Sequence, residues 1–218
     1  MLKHLTFQEH YTLMLEDNEL LRLSDKHIQE ASKVFTETFK DYPLFSYMVE
    51  DPEARTRIYP HIFRLMIKHT IKFGEAYATS ENMEGIALWL PSKRSDISIW
   101  SNLNSGGIGL FLKMGLRIAY RSMVFTEFAS KLHHEVINRP HIYLFQIGVK
   151  KKYRGKGYAS KLMRPMMDRA DSECQPLFLE THDEANIPVY QHHQFEIIRH
   201  EKIPGSDVNH WAMIRNPQ

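Results

Sequence analysis

Apolar residues recur along this chain with two periods, one helical and one extended. Leu20 to Leu23 reads as a short strand. After Ser24-Asp25, residues Ile28, Ala31, Phe35 and Phe39 fall three or four apart and predict a helix that Tyr42-Pro43 stops. Asp51-Pro52-Glu53 opens a second predicted helix to about Phe73, with Ile58, Ile62, Leu65, Met66 and His69 at helical spacing and Pro60 expected to kink it or delay its start. Glu75 to Thr79 and Glu84 to Leu90 flank the turn-forming Ser80-Glu81-Asn82-Met83 and read as a hairpin ending at Pro91. Between Ser92 and Arg139 the strand signal disappears, and Ile108 to Arg121 and Met123 to Ile137 both read as helices. Near the start, Thr6-Phe7-Gln8-Glu9 has the spacing of a capping box and predicts a short helix from Phe7 to about Glu16.

The extended period returns at His141 to Val149, bounded by Pro140 and a lysine run. A helical period follows from Ala159 to Ala170, on Leu162, Met163, Met166, Met167 and Ala170. Pro176 to Thr181 is a strand, and Asn186 to His192 a short helix with Pro188 in its first turn, where a missing N–H does no harm. Phe195 to Ile203 and Val208 to Arg215 close the chain as a hairpin across Pro204-Gly205-Ser206-Asp207. The order βααββ, helical insertion, βαβαββ predicts an α/β protein. We expect one domain over 1–218, a mixed central sheet flanked by helices, with the insertion at about 92–139, between the third and fourth strands.

Between the strand at His141 and the helix at Ala159 lies a basic glycine loop, and this junction has chemistry of its own. The first-turn amides of a helix have no intrahelical acceptor, so that end attracts anions. Gly155 and Gly157 let backbone approach a ligand, and Lys150, Lys151, Lys152, Arg154 and Lys156 add positive charge. A phosphate is the expected guest; a solvated basic turn is the plainer alternative.

Composition narrows the picture. The chain has 218 residues, 43% hydrophobic and 25% charged, as expected of a soluble globular protein. A net charge of +2 is too small to argue for a nucleic-acid partner. The lone Cys174 excludes an intramolecular disulfide framework and suits a reducing compartment, and as an acyl carrier it is a weaker candidate than a buried or inert thiol. The N-terminal stretch lacks the apolar core of a signal peptide, and no apolar run approaches the ~20 residues that span a bilayer. The expectation is therefore cytoplasmic, with no membrane partner. Thirteen histidines, including His133-His134 and His192-His193, invite a metal hypothesis, but adjacent helical residues point about 100° apart, so no metal is expected. Gly106-Gly107-Ile108-Gly109 follows no strand and is not read as a dinucleotide loop.

Arg154-Gly155-Lys156-Gly157-Tyr158-Ala159 resembles the Arg/Gln-x-x-Gly-x-Gly/Ala loop with which Gcn5-related N-acetyltransferases (GNATs) hold the pyrophosphate of acetyl-CoA. Leu179-Glu180-Thr181, Asn186-Ile187-Pro188-Val189-Tyr190 and Gln194-Phe195 look like that family's fifth strand, fourth helix and following strand. The stretch from His141 to the tail is similar to the family's puromycin N-acetyltransferase branch. Before His141 the resemblance rests on Gly85-Ile86-Ala87-Leu88-Trp89-Leu90-Pro91.

The resemblance implies an enzyme that transfers the acetyl group of acetyl-CoA to a primary amine by direct attack in a ternary complex, with a longer acyl-CoA as the nearest variant. It implies that Arg154, Gly155, Lys156, Gly157, Tyr158, Ala159 and Ser160 hold the pyrophosphate. Backbone at Ile147, Gly148 and Val149 would stabilise the carbonyl oxygen, Asn186 would hold the pantetheine arm, and Tyr190 would protonate the departing sulfur. Glu180 and His182, after the fifth strand, are candidates for accepting the amine proton, with His141 and Glu127 behind them. Trp89, Trp100, Phe111, Tyr120, Phe125 and Phe128 are candidates for an acceptor pocket built largely by the insertion. Alternatives are a CoA-binding regulatory module without transfer, a peptide or protein amine as acceptor, and a nucleic-acid binder using Lys150 to Lys156. Oligomeric state is open, a homodimer included.

Overall fold

A computed structural model describes residues 20–95 and 107–218, with backbone alone for 107–114. The expected helix at Phe7 to Glu16, the side chains of Trp100 and Phe111, and the start of the insertion lie outside the described residues. The strands are β1 (Leu21–Arg22), β2 (Glu75–Ala78), β3 (Gly85–Pro91), β4 (Ile142–Val149), β5 (Leu177–Thr181), β6 (Glu196–Lys202) and β7 (Asn209–Arg215). They form one seven-stranded sheet in the order β1-β2-β3-β4-β5-β7-β6, antiparallel throughout except where β4 runs parallel to β5. The helices are α1 (Ile28–Phe39), α2 (Pro43–Met48), α3 (Pro52–Phe73), α4 (Gly107–Val136), α5 (Tyr158–Ser172) and α6 (Ile187–His192).

The central strands bury side chains on both faces of the sheet, while β6 at its edge is exposed along its length. Leu144, Leu179 and Met213 face α5 and α6 on one side of the sheet, while Tyr143, Phe178, Ala212 and Ile214 face the end of α4 on the other. α1 and α3 share that second face over β2 and β3, where Phe35, Phe39, Phe45 and Phe63 pack with ring centroids 5.1 to 5.7 Å apart. The hairpin of β2 and β3 closes through buried Glu84, whose carboxylate accepts from the hydroxyls of Thr79 (2.7 Å) and Ser80 (2.8 Å).

Several helices depart from expectation. Pro43 not only follows α1 but opens α2, because a proline's missing N–H is harmless in a first turn. Asp51 caps α3 by accepting from the amides of Glu53 and Ala54, and the helix is continuous through Pro60, so its start is not delayed. The buried stripe of α3 is Ile58, Tyr59, Phe63, Ile67 and Thr70, so the expected Ile62, Leu65, Met66 and His69 are rotated toward its flank. The insertion bends at Gly115 (φ 77°, ψ 161°) and not near Ser122, whose buried hydroxyl donates to the Met48 sulfur. Only glycine enters that conformation without strain. Cys174, expected to be buried or inert, is exposed.

The C-terminal end of α5 is fastened to β7 by a paired contact, Arg215 donating to both oxygens of Asp171 at 2.7 Å. The Arg215 side chain is 3% exposed, so removing its partner strands a buried guanidinium. Asp171→Ala is therefore expected to cost about 3–5 kcal/mol in a urea titration. The Arg215 hydrogen bond holds the Asp171 carboxyl below its ordinary range. Its contribution is thus full above the ordinary carboxylate pKa of ~3.9 and is lost as pH falls through the depressed folded value, so wild type and variant converge in acid.

Candidate active site

The site is built where two parallel strands part. β4 pairs with β5 only through Ile142, Tyr143 and Leu144, opposite Leu177, Phe178 and Leu179. Beyond Leu144, β4 continues to Val149 alone on that side, and a bulge against β3 between Leu88 and Trp89 bends it there. Lys150 donates its N–H to the Glu84 carbonyl of the β3 side (2.9 Å). By the alternation of a strand, the backbone groups of Ile147 and Val149 point the other way, into the gap where β5 has ended. Gly148 instead directs its backbone at its β3 partner Ile86. A Cβ there would lie 2.9 Å from Phe39 and 3.0 Å from Thr38, so this glycine exists to let α1 close on the sheet.

Beside the gap lies a cavity of about 290 Å³. Phe39, Tyr42, Phe45, Met48 and Met66 wall one side and Phe125, Thr126 and His133 of α4 another, with Tyr143, Glu180, His182, Asn186 and Tyr190 at its base. Of the expected pocket aromatics, Phe125 takes part. Trp89 is core on the opposite face of the sheet, Tyr120 is 64% exposed, and Phe128 packs on His210.

Tyr190 is buried on α6, and among the described residues its hydroxyl has no hydrogen-bond partner. Burial pushes its pKa up, with Tyr42 and Asp183 adding to the effect, so the phenol stays protonated and can donate. Asn186 does not cap α6 with its side chain; it donates to Thr181 Oγ1 at 3.3 Å. Thr181 Oγ1 lies 3.2 Å from the Tyr42 hydroxyl, which accepts the His182 backbone N–H at 2.7 Å. Burial raises the Tyr42 pKa to about 12.

The Glu180 side chain is 7% exposed, accepts from the Tyr143 hydroxyl at 2.8 Å, and lies 3.3 Å from His210 Nε2. Burial alone would raise its pKa; the charges of His210 and His133 and the hydrogen bonds outweigh that and hold it below the ordinary range. His182 contacts His210 ring to ring, Nε2 to Nδ1, at 2.9 Å. His141 stands apart, tied to the Arg139 carbonyl and to His133, each at 2.8 Å. Glu127 is not among the residues lining the cavity.

At the far end of β4 the loop is open. Gly155 (φ 73°) and Gly157 (φ 80°) are both left-handed, and nothing lies within 4 Å of where a Cβ would stand on either. Their need for glycine is therefore conformational, with the space above them clear. The first helical bond of α5 runs from Lys161 to Gly157 (2.9 Å), leaving the amides of Tyr158, Ala159 and Ser160 without an intrahelical acceptor. Arg154 folds back, its guanidinium donating to the Val149 (3.2 Å) and Thr38 (3.4 Å) carbonyls. Lys156 sits over the Tyr153 ring at 5.7 Å, and the Ser160 hydroxyl contacts His193 Nε2 at 2.9 Å. Among the described residues no group of three or more His, Cys, Asp or Glu could hold a metal ion.

Two residues of this site were not singled out from sequence. Tyr42 read only as a helix stop. His210 lies in β7 two residues before Ala212 and four before Ile214, so strand alternation already put it on their inward face. A histidine at an inward strand position was the available signal.

Seven strands parted in the middle and flanked by helices, with a helical insertion after the third, form the acyl-CoA N-acyltransferase fold. Residues 119–195 match the model of the acetyltransferase (GNAT) family. An uncharacterized N-acetyltransferase of Schizosaccharomyces pombe is 26% identical over 182 residues, 80% of this chain and 72% of that protein. A Corynebacterium glutamicum structure, described as histone acetyltransferase HPA2 and related acetyltransferase, superposes with a TM-score of 0.64 at 20% identity, covering 91% of this chain and 96% of that one. Arylalkylamine N-acetyltransferase 2 of Aedes aegypti superposes with a TM-score of 0.60 at 13% identity, covering 92% and 99%. Over residues 119–195 the chain is similar to the GNAT family of acetyltransferases, and the fold is the one that family's members share. These matches do not reach the puromycin N-acetyltransferase branch.

Because Phe35, Phe39 and Thr38 crowd Gly148, adding one methyl there must displace α1. Gly148→Ala is expected to destabilise the protein by about 1–3 kcal/mol, measured by denaturant melting. Gly155→Ala meets no neighbour and carries only the left-handed penalty of roughly 1–2 kcal/mol.

Proposed function

We propose that this chain transfers the acetyl group of acetyl-CoA to the primary amine of a small molecule with an apolar body. The observation that carries the reading is that an unpaired strand edge, a buried phenol without a partner and an aromatic-walled cavity meet in one place. The residues fit acetyl-CoA: the amides of Tyr158, Ala159 and Ser160 and the open, basic loop from Lys150 to Gly157 suit a pyrophosphate, and the β4 edge at Ile147 and Val149 suits the amide-bearing pantetheine arm. The co-substrate supplies an activated acetyl group as a thioester.

The chain's part in the reaction is positioning and proton traffic. The N–H groups of the β4 edge can donate to the carbonyl oxygen as it gains charge, and Asn186 can orient the arm. Glu180 and its neighbours draw a proton from the amine, and Tyr190 gives one to the sulfur as the C–S bond breaks. Phe39, Phe45 and Phe125 favour an acceptor with an apolar or aromatic body, in keeping with the name of the Aedes aegypti neighbour, an arylalkylamine N-acetyltransferase. The reading includes a cytoplasmic location and a single domain.

Release of CoA thiol, followed across a panel of amines, tests the activity. Tyr190→Phe should lower kcat by about 10²-fold or more while CoA titrations stay unchanged, since the hydroxyl matters only as sulfur gains charge. An unchanged kcat with chemistry rate-limiting would remove Tyr190 from the mechanism. Gly157→Val places a branched side chain at φ 80° beneath the expected pyrophosphate, and calorimetry should show CoA binding weakened at least tenfold. Equal affinities would take the loop out of the site.

A further inference from the structure

Strand alternation and register bring three titratable side chains to one face of the sheet. On β5, Phe178 and Glu180 point the same way, and His182 follows them just beyond the strand end. On β7, Ile214, Ala212 and His210 are on that face too, paired so that Glu180 lies opposite Ala212. The result is a row: Glu180 Oε1 is 3.3 Å from His210 Nε2, His210 Nδ1 is 2.9 Å from His182 Nε2, and His182 Nδ1 is 3.5 Å from the Tyr42 hydroxyl at the cavity wall. His210 is 0% exposed and His182 7%. Phe125 stands edge-on to His182 at 5.4 Å and Phe128 edge-on to His210 at 5.2 Å, sealing the row from solvent.

We infer that Glu180, His210 and His182 form a proton relay from the acceptor cavity into the protein, with His182 as the conduit and His210, beside Glu180, as the place where the proton rests. The inference builds on the transferase reading, for which it names the path of the amine proton.

The geometry dictates the tautomers. With Glu180 ionised and His210 neutral, His210 carries its proton on Nε2, toward the carboxylate, and its bare Nδ1 accepts from His182 Nε2–H. That leaves the lone pair of His182 Nδ1 directed at Tyr42 and the cavity. A proton arriving at His182 Nδ1, from an ammonium group directly or across the Tyr42 hydroxyl, allows the Nε2 proton to pass to His210 Nδ1. His182 ends neutral in its other tautomer, and the positive charge sits on His210, 3.3 Å from the carboxylate. Glu180 Oε1 and His210 Nε2 are close but not aligned as a hydrogen bond at rest, so the ion pair has something to gain when the charge arrives.

Proton accounting then closes. The ammonium gives one proton to the relay and becomes the nucleophile. After C–N bond formation the nitrogen sheds a second proton, which balances the one Tyr190 gives to the sulfur, and the relay's proton leaves to solvent after product release. Burial and the neighbouring His210 lower the His182 pKa to about 3, which agrees with a group that passes charge on without keeping it. The other groups facing the row are Tyr143 from β4, His133 from α4, Tyr42 ahead of α2 and Asp183 beyond β5. From β6 the residue opposite His210 is Glu201, whose side chain is exposed.

Nitrogen-15 NMR of the histidine rings in the wild-type protein, without substrate, tests the relay. At pH 8–9 both His182 and His210 should carry their proton on Nε2. When the row takes up a proton, the charge should be found on His210, with His182 in the Nδ1–H tautomer and still neutral. A His182 that keeps its tautomer, or itself becomes the imidazolium, overturns the relay. His210→Gln supplies the kinetic arm: kcat should fall by about 10²-fold with CoA affinity unchanged, and the deficit should close as the pH approaches the amine's own pKa, where no proton need be removed. A deficit constant with pH, or none, also overturns it. A wild type that releases no thiol with any amine, the tautomer switch intact, sinks the transferase reading and leaves the relay standing.

Discussion

Everything at this site depends on β4 being longer than its partnership with β5. Pairing ends at Leu144 and Leu179, yet β4 runs on to Val149, held on its other edge by β3. Backbone donors and acceptors at a strand edge must find partners; the Val149 carbonyl has Arg154, while the N–H groups of Ile147 and Val149 and the Ile147 carbonyl face a gap. An extended, amide-bearing ligand is the natural completion. The same parting lies beside the cavity, which residues of α1, α2 and α4 wall and to which Tyr190 of α6 contributes.

The cost of that opening is met by close packing around it. Gly148 lets α1 settle onto β4, the rings of Phe35, Phe39, Phe45 and Phe63 interlock above it, and Arg215 with Asp171 fixes the base of α5 to β7. With the sheet braced on both flanks, the two ends of the site stay aligned: the glycine turn at the head of α5 and the row of Glu180, His210 and His182 at the end of β5. The first is open and basic; the second is sealed and aromatic. Their contrast suits a reaction that holds a solvated anion at one end and moves protons out of water's reach at the other.

The second half of the chain was the more legible half. From His141 onward, short strands with period-two alternation and a helix with glycine before it leave little ambiguity, and the elements fall within a residue or two of expectation. The helical layer was harder to read. α3 presents apolar residues to the core and to the cavity wall at once, so its stripe is broad and its centre was misplaced by one position. α2 is a single short helix started by a proline that also looked like a stop. Glycine at 115 decides where the insertion bends, a matter of backbone conformation that apolar periodicity does not register. For the site, Tyr190 and Asn186 could be named because the family resemblance covers their stretch and Glu180 because it ends the strand before them, whereas His210 and Tyr42 join them only through sheet register and the packing of α2.

In the proposed function the edge of β4 beyond Leu144 receives the thioester arm with Tyr190 at the sulfur. A crystal structure of the protein with CoA tests it most directly. Pantetheine amides should be bonded to the backbone of Ile147 and Val149, with the sulfur within about 3.5 Å of the Tyr190 hydroxyl and the pyrophosphate over the amides of Tyr158 to Ser160. CoA bound elsewhere, or bound there with its sulfur turned away from Tyr190, would contradict it.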